Sequence, residues 1–193
     1  MADLLPFALF AFISSVTPGP ANVAIFAKTS RTGFRASVPF VTGVLVGFLA
    51  VLVGGLALYA AGVALAGTAL IYLKVVGAVY LIYLAVGIWL DRAQTDESFV
   101  GMRGALKGLP MHPLSVKAWL FVLLSYTTFK LDTSTLSVIA YPLVFLLAAV
   151  AAHLIWMTFG SALKGQIQTR YLQIINRISA VCIVVLVIYI FIP

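Results

Sequence analysis

The stretch Ser14-Ser15-Val16-Thr17-Pro18-Gly19-Pro20-Ala21-Asn22 decides how this chain folds. It lies inside an apolar run from Leu4 to Ala27, which at about 1.5 Å of rise per residue is long enough to cross a bilayer. Pro18 and Pro20 lack N–H donors, and their rings clash with carbonyls one turn earlier, so one helix cannot run through both. Gly19 between them is expected to supply backbone conformations closed to other residues. The span is therefore expected to break near mid-membrane and to restart with Pro20 as a first helical residue. Unwound backbone facing lipid would leave polar groups unsatisfied, so such a break belongs beside protein or water. Ser14, Ser15, Thr17 and Asn22 bring side-chain hydrogen bonding to the same place. A lone proline would read as a kink patched by hydroxyls; Thr-Pro-Gly-Pro-Ala-Asn as a unit points to a binding site.

The surrounding composition belongs to a membrane protein. The 193 residues are 63% hydrophobic and 9% charged, with a mean hydropathy of +1.16, where soluble domains carry about 25% charged residues. The net charge of +7 is spread over short loops and is no nucleic-acid signal. Asp3 precedes the first apolar run and no basic residue does, which is unlike a signal peptide. The single cysteine, Cys182, sits in an apolar stretch and reads as a packed thiol rather than a disulfide or metal ligand.

Six hydrophobic spans follow one another, at about 4–27, 37–62, 68–90, 110–131, 136–163 and 172–192. The fourth reaches crossing length only by including Leu109-Pro110-Met111-His112-Pro113-Leu114-Ser115-Val116-Lys117, a second stretch that two prolines would break. Lys28, Arg31, Arg35, Arg92, Arg103, Lys107, Lys164, Arg170 and Arg177 fall in the odd loops. The opposite side holds Lys130, with Lys74 able to snorkel. By the positive-inside rule the odd loops are cytoplasmic and both termini face outward. No separate domain or low-complexity region appears, so residues 1–193 are expected to form one transmembrane domain.

Gly43, Gly47 and Gly55 recur at four-residue multiples in the second span, a stripe suited to close helix packing within the chain or, less simply, in a homo-oligomer. Tyr72, Tyr80, Tyr83 and Trp89 read mostly as interface anchors, and the sixth span as a lipid-facing helix. The halves also resemble each other. Pro18 to Phe26 can be laid over Pro113 to Phe121, aligning proline, a polar residue (Asn22 or Lys117) and phenylalanine; Tyr72 to Val76 lies over Tyr171 to Ile175 at nearly the same offset. Three spans per half would make the repeats inverted, about 4–90 and 108–192. Paired proline-interrupted segments in corresponding positions are the best sequence pointer to a transporter's site.

The chemistry follows from a restarted helix, whose free N–H groups and partial positive charge suit a carboxylate. The donors are expected to be the N–H groups of Ala21, Asn22 and Val23, with Lys117 able to add a full charge. Lys117 reads equally as a residue near a cytoplasmic helix start. His153 lies 11 residues from Lys164, as Thr17 lies 11 from Lys28, which places both about 16 Å below that boundary. Histidine titrates near neutral pH, so His153 is the candidate proton carrier; the bland reading is a core histidine bonded to a carbonyl. Asp3, Asp91, Asp96, Glu97 and Asp132 all fall at span ends or in loops. That argues against a divalent-cation transporter. No nucleophile–base pair, phosphate loop or zinc spacing appears, so an enzyme and a cofactor are not expected.

Thr17-Pro18-Gly19-Pro20-Ala21-Asn22, followed by Gly33-Phe34-Arg35-Ala36, Gly43, Gly47 and Leu73-Lys74-x-x-Gly77-Ala78-x-Tyr80-Leu81, resembles the LysE/RhtB family of bacterial amino-acid exporters over nearly the whole chain. Where that family shows Asn-Pro-Lys before its fourth hydrophobic run, this chain has Ser115-Val116-Lys117, with the proline displaced to Pro113. The resemblance implies a proton-driven exporter of an amino acid or close derivative in the plasma (inner) membrane. The expected architecture is an all-α membrane protein of six helices in two inverted three-helix repeats, the first and fourth broken at proline motifs. Substrate would meet Ser14, Thr17, Pro18, Gly19, Pro20, Ala21, Asn22, Pro113, Ser115 and Lys117. A zwitterion crosses without net charge, so exchange for one proton would supply about 2.3 kcal/mol per 100 mV. With no buried acid to hold an extra positive charge, a neutral amino acid is favoured. A metal or inorganic-ion exporter of the same superfamily, and a membrane assembly or lipid-handling protein, are the alternatives.

Overall fold

The computed structural model describes residues 4–61, 68–90, 101–129, 135–164 and 169–191. Asp3, Asp91, Arg92, Asp96, Glu97, Lys130 and Asp132 lie outside the described residues, as do the side chains of Lys74, Tyr80, Arg170 and Tyr171. Among the described residues the fold is all-helical: α1 (Leu4–Val16), α2 (Pro20–Thr32), α3 (Phe34–Ala60), α4 (Thr68–Trp89), α5 (Gly101–Gly108), a 3-10 turn (Leu109–Met111), α6 (Val116–Thr128), α7 (Thr135–Ala162) and α8 (Thr169–Phe191). Phe34–Ala60 and Leu136–Ala162 are each long and apolar enough to cross a membrane, and α1 with α2, bent by 56°, would make a third crossing.

α1 is apolar on every side, as a helix between lipid and protein must be. Phe7, Ala11 and Ser14, spaced four and three residues apart, turn inward, while Leu5, Leu9 and Ile13 are exposed. Phe7 anchors this face with its ring 4.5 Å from Tyr141 and 5.5 Å from Phe129 between ring centroids. α2 is the opposite case. Every residue from Pro20 to Ser30 is buried, because α7, α3, α8 and α4 surround it.

That wrapping accounts for a difference from the sequence reading, which ended the first span at Ala27. α2 runs on through Lys28 and Arg31 to Thr32, and Gly33 alone separates it from α3. The hydroxyl groups there are satisfied within the helix. Ser30 donates to the Ala27 carbonyl at 3.0 Å, Thr32 to the Lys28 carbonyl at 3.0 Å, and Thr29 to the Ile25 carbonyl. Gly33 makes the turn with φ 87° and ψ 172°, a region essentially reserved for glycine.

A second difference is α5. The span beginning near residue 110 is preceded by a helix from Gly101, packed along α3. The glycine stripe explains it. A Cβ on Gly43 would lie 1.9 Å from the Ala105 carbonyl oxygen, and one on Gly47 would lie 2.1 Å from that of Leu109. Gly55 meets Val122 of α6, and Gly108 answers from the other side against the Phe40 carbonyl. The stripe is thus spent within the chain, where small residues let backbones touch. On α8, Ala180, Ile183 and Val187 turn inward while Ile174, Ile178, Val181, Val185 and Ile188 are exposed.

Candidate functional site

α1 stops at Val16 because Pro18 and Pro20 withhold the N–H groups that its last carbonyls require. Side chains replace them. Asn22 Nδ2 donates to the Ser15 carbonyl at 2.8 Å and to the Thr17 carbonyl at 3.0 Å. Trp156 Nε1, reaching across from α7, donates to the Val16 carbonyl at 3.1 Å. Lys117 Nζ, from the start of α6, donates to the Thr17 carbonyl at 3.3 Å. A cation there also complements the negative end of the α1 dipole.

α2 then begins at Pro20 with Gly19 as its N-cap and no side-chain cap. The Val23 N–H is taken by the Gly19 carbonyl at 2.9 Å, so Val23 is not a free donor, contrary to expectation. The open donors are those of Ala21 and Asn22, which bond to no backbone carbonyl among the described residues. Gly19 also plays another part than expected. Its φ of −156° and ψ of 171° are ordinary extended backbone, so no special conformation is needed. What the missing side chain allows is proximity: a Cβ there would sit 3.3 Å from Lys117 Nζ.

The second break is finished differently. The 3-10 turn ends at Met111, and α6 starts at Val116 with Ser115 as N-cap, its Oγ accepting from the Ala118 N–H at 3.3 Å. Trp119 Nε1 donates back to the Pro113 carbonyl at 2.8 Å. Both breaks open on one cavity of about 50 Å³. Ser14, Ser15, Gly19, Ala21, Asn22, Ser115 and Lys117 line it, as does His153 from α7, so eight of the residues singled out from sequence meet there. Thr17, Pro18, Pro20 and Pro113 are outside this lining; Thr17 is exposed and its hydroxyl bonds back to the Ile13 carbonyl.

Phe48, Phe121 and Phe145 form apolar walls with Ala118 and Ala149, and His112 also lines the cavity. Sequence reading passed over His112, although its place in Pro110-Met111-His112-Pro113 was the available signal. Its ring lies 4.6 Å from Phe48 and 5.6 Å from His153 between centroids. His153 is 2% exposed, and its Nδ1, the His112 Nε2 and the Asn22 Oδ1 are buried without a hydrogen-bond partner among the described residues. Buried polar atoms are normally bonded, so three unmatched ones on residues lining one cavity mark a place built for something polar. A cavity of this volume holds about three waters; a solute larger than that must push lining side chains aside. Among the described residues no group of three or more His, Cys, Asp or Glu is placed to hold a metal ion.

Comparison with known proteins bears on what that solute is. The cysteine/O-acetylserine efflux protein of Klebsiella pneumoniae is 27% identical over 173 residues, 89% of this chain and 86% of the relative. That of Salmonella choleraesuis is 27% identical over 188 residues, 96% of this chain and 94% of the relative. An Escherichia coli protein of the same name is 24% identical over the same extent. These relatives are consistent with an exporter family of the LysE/RhtB type. No protein-family model matches the chain, and no solved structure does.

Proposed function

We propose that this chain is a secondary transporter carrying a small neutral amino acid or close derivative outward across the bacterial plasma membrane, in exchange for protons. The observation that carries this reading is the uncapped start of α2 opening into the cavity beside Lys117. Ala21 and Asn22 N–H groups with a nearby ammonium form an anion site of the kind a carboxylate occupies. The relatives named for cysteine and O-acetylserine efflux supply the substrate class, since both compounds are small and neutral overall with polar side chains. The phenylalanine walls agree with a short side chain.

In this reading residues 1–193 form one domain of six spans, with inverted repeats at about 4–90 and 108–192 and both termini outside. The two breaks lie where the repeats meet. Lys117 leaves the Thr17 carbonyl to take the incoming carboxylate, which frees the carboxyl end of α1 and loosens the break. His153 takes the exchanged proton. No cofactor takes part, and the protein acts as a transporter rather than an enzyme. Lipid surrounds the bundle, and a homo-oligomer is compatible with it.

The test is efflux of a panel of radiolabelled amino acids from proteoliposomes carrying the purified protein, with substrate-protected thermal stability in detergent alongside. Stabilisation and efflux by a small neutral amino acid are expected. Stabilisation by divalent metal alone would favour the metal-exporter reading, and stabilisation by neither would point to a protein that does not transport.

A further inference from the structure

The cavity holds more than an anion site, and the remainder concerns the other end of an amino acid. The start of α2 and Lys117 offer only donors to a ligand. Three of the residues lining the same space each carry a buried polar atom without a hydrogen-bond partner among the described residues: Asn22 Oδ1, His112 Nε2 and His153 Nδ1. A side-chain amide oxygen accepts only, and each neutral imidazole carries one ring nitrogen with a free lone pair. The two rings lie 5.6 Å apart between centroids, close enough for one cationic group to touch both. An ammonium has three donors and no acceptor, which matches in number the acceptors that the α2 start, the 112–115 connection and α7 contribute to the lining residues.

We propose, on the reading above, that His112 and His153 with Asn22 bind the α-ammonium of the substrate, and that the incoming proton competes with that ammonium for the same imidazole lone pairs. A protonated imidazole is donor-only and positive, so it repels the group its neutral form holds. Two imidazolium rings at this separation also repel each other, so the pair carries one proton. Lys117 is the remaining titratable group in the cavity lining; α1, α2 and α3 contribute none to it. Its ammonium adds to the cost of a second proton and gains a partner when a carboxylate arrives.

The outcome is exchange without a separate gate for protons. With the amino acid bound, the imidazoles are neutral and occupied. Once it leaves outward, one proton takes its place and resets the site when delivered inward. Each cycle moves one zwitterion out and one positive charge in, so export is electrogenic. His112 is needed as much as His153, although only the latter was evident from the sequence.

The experiment is calorimetric binding to the intact, detergent-solubilised protein between pH 4 and 7.5. L-cysteine and L-serine are the probes, with 3-mercaptopropionate and 3-hydroxypropionate as analogues lacking the amino group. The amino acid is expected to bind about tenfold more weakly per pH unit on the acid side of the pair's titration and to release about one proton there. The analogues should bind weakly and without proton release. His112→Gln with His153→Gln keeps an acceptor but cannot take the proton, so the binding that remains should be weaker at neutral pH and should show no pH dependence. Binding of the amino acid to the wild type with no proton release, or an analogue with the same pH profile, overturns this inference and leaves the transporter reading standing. No binding by any amino acid in an efflux-inactive protein overturns both. The wild-type measurements decide the matter even if the double variant does not fold.

Discussion

At Gly19 a helix begins without a cap, and at Ser115 another begins with one. Both starts follow a proline-interrupted segment, both open on one cavity, and Lys117 stands between them with its ammonium on the Thr17 carbonyl. At the second start the serine hydroxyl occupies the Ala118 N–H, so that end is complete in itself. At the first, the donors of Ala21 and Asn22 are left to whatever enters. The chain therefore separates two tasks that the sequence made look alike. The 112–115 connection is fastened locally by Ser115 and Trp119, while the 17–19 connection has the local Asn22 and, from distant helices, Trp156 and Lys117. A connection held by borrowed partners can be released when a ligand competes for one of them.

The strongest way to break this contrast is to remove the first interruption. Replacing Pro18, Gly19 and Pro20 with alanine restores N–H donors and allows the helix to continue, so export should fall at least a hundredfold with membrane insertion unchanged. Efflux from proteoliposomes at matched protein content measures it, and export within threefold of wild type would refute a site at the break. Next is Lys117→Met, which removes a charged donor; a hydrogen bond to a charged group contributes about 1.5–3 kcal/mol. Substrate affinity should drop by about ten- to a hundredfold with little change in thermal stability.

The contrast can also be exchanged between the two ends. Gly19→Ser places a hydroxyl where its backbone already has the extended conformation of an N-cap, and it would take the Ala21 or Asn22 N–H. Binding should weaken about tenfold, both from this competition and from crowding of Lys117, while melting temperature holds or rises. Ser115→Ala should do the reverse, costing about 1 kcal/mol of stability with affinity nearly unchanged. Equal effects on binding from both would erase the distinction. The smallest functional effect is expected at Gly33→Ala. The turn at φ 87° disfavours alanine by about 1–3 kcal/mol, and a Cβ would also press on Lys164 at 3.0 Å. The melting temperature should fall with substrate affinity retained.

Sequence reading located the interruption at Pro18 and Pro20 because proline acts through local sterics, which hold in any surroundings. It placed His153 level with that break because helical rise converts spacing into depth. It erred on Gly19 for the same reason that it succeeded on the prolines. Glycine there reads as a conformational device, whereas in the structure it is room for the side chain of Lys117, which is distant along the chain.

What the sequence determined by itself is an all-helical membrane protein, the break in its first span and the polar residues gathered there, since all three follow from hydropathy and backbone chemistry. Only the tertiary structure decided that α2 continues to Thr32 in a sheath of other helices, that the glycine stripe receives α5, and that His112 meets His153. Those depend on which surfaces pack together over long separations in the chain, and neither periodicity nor residue type carries that information.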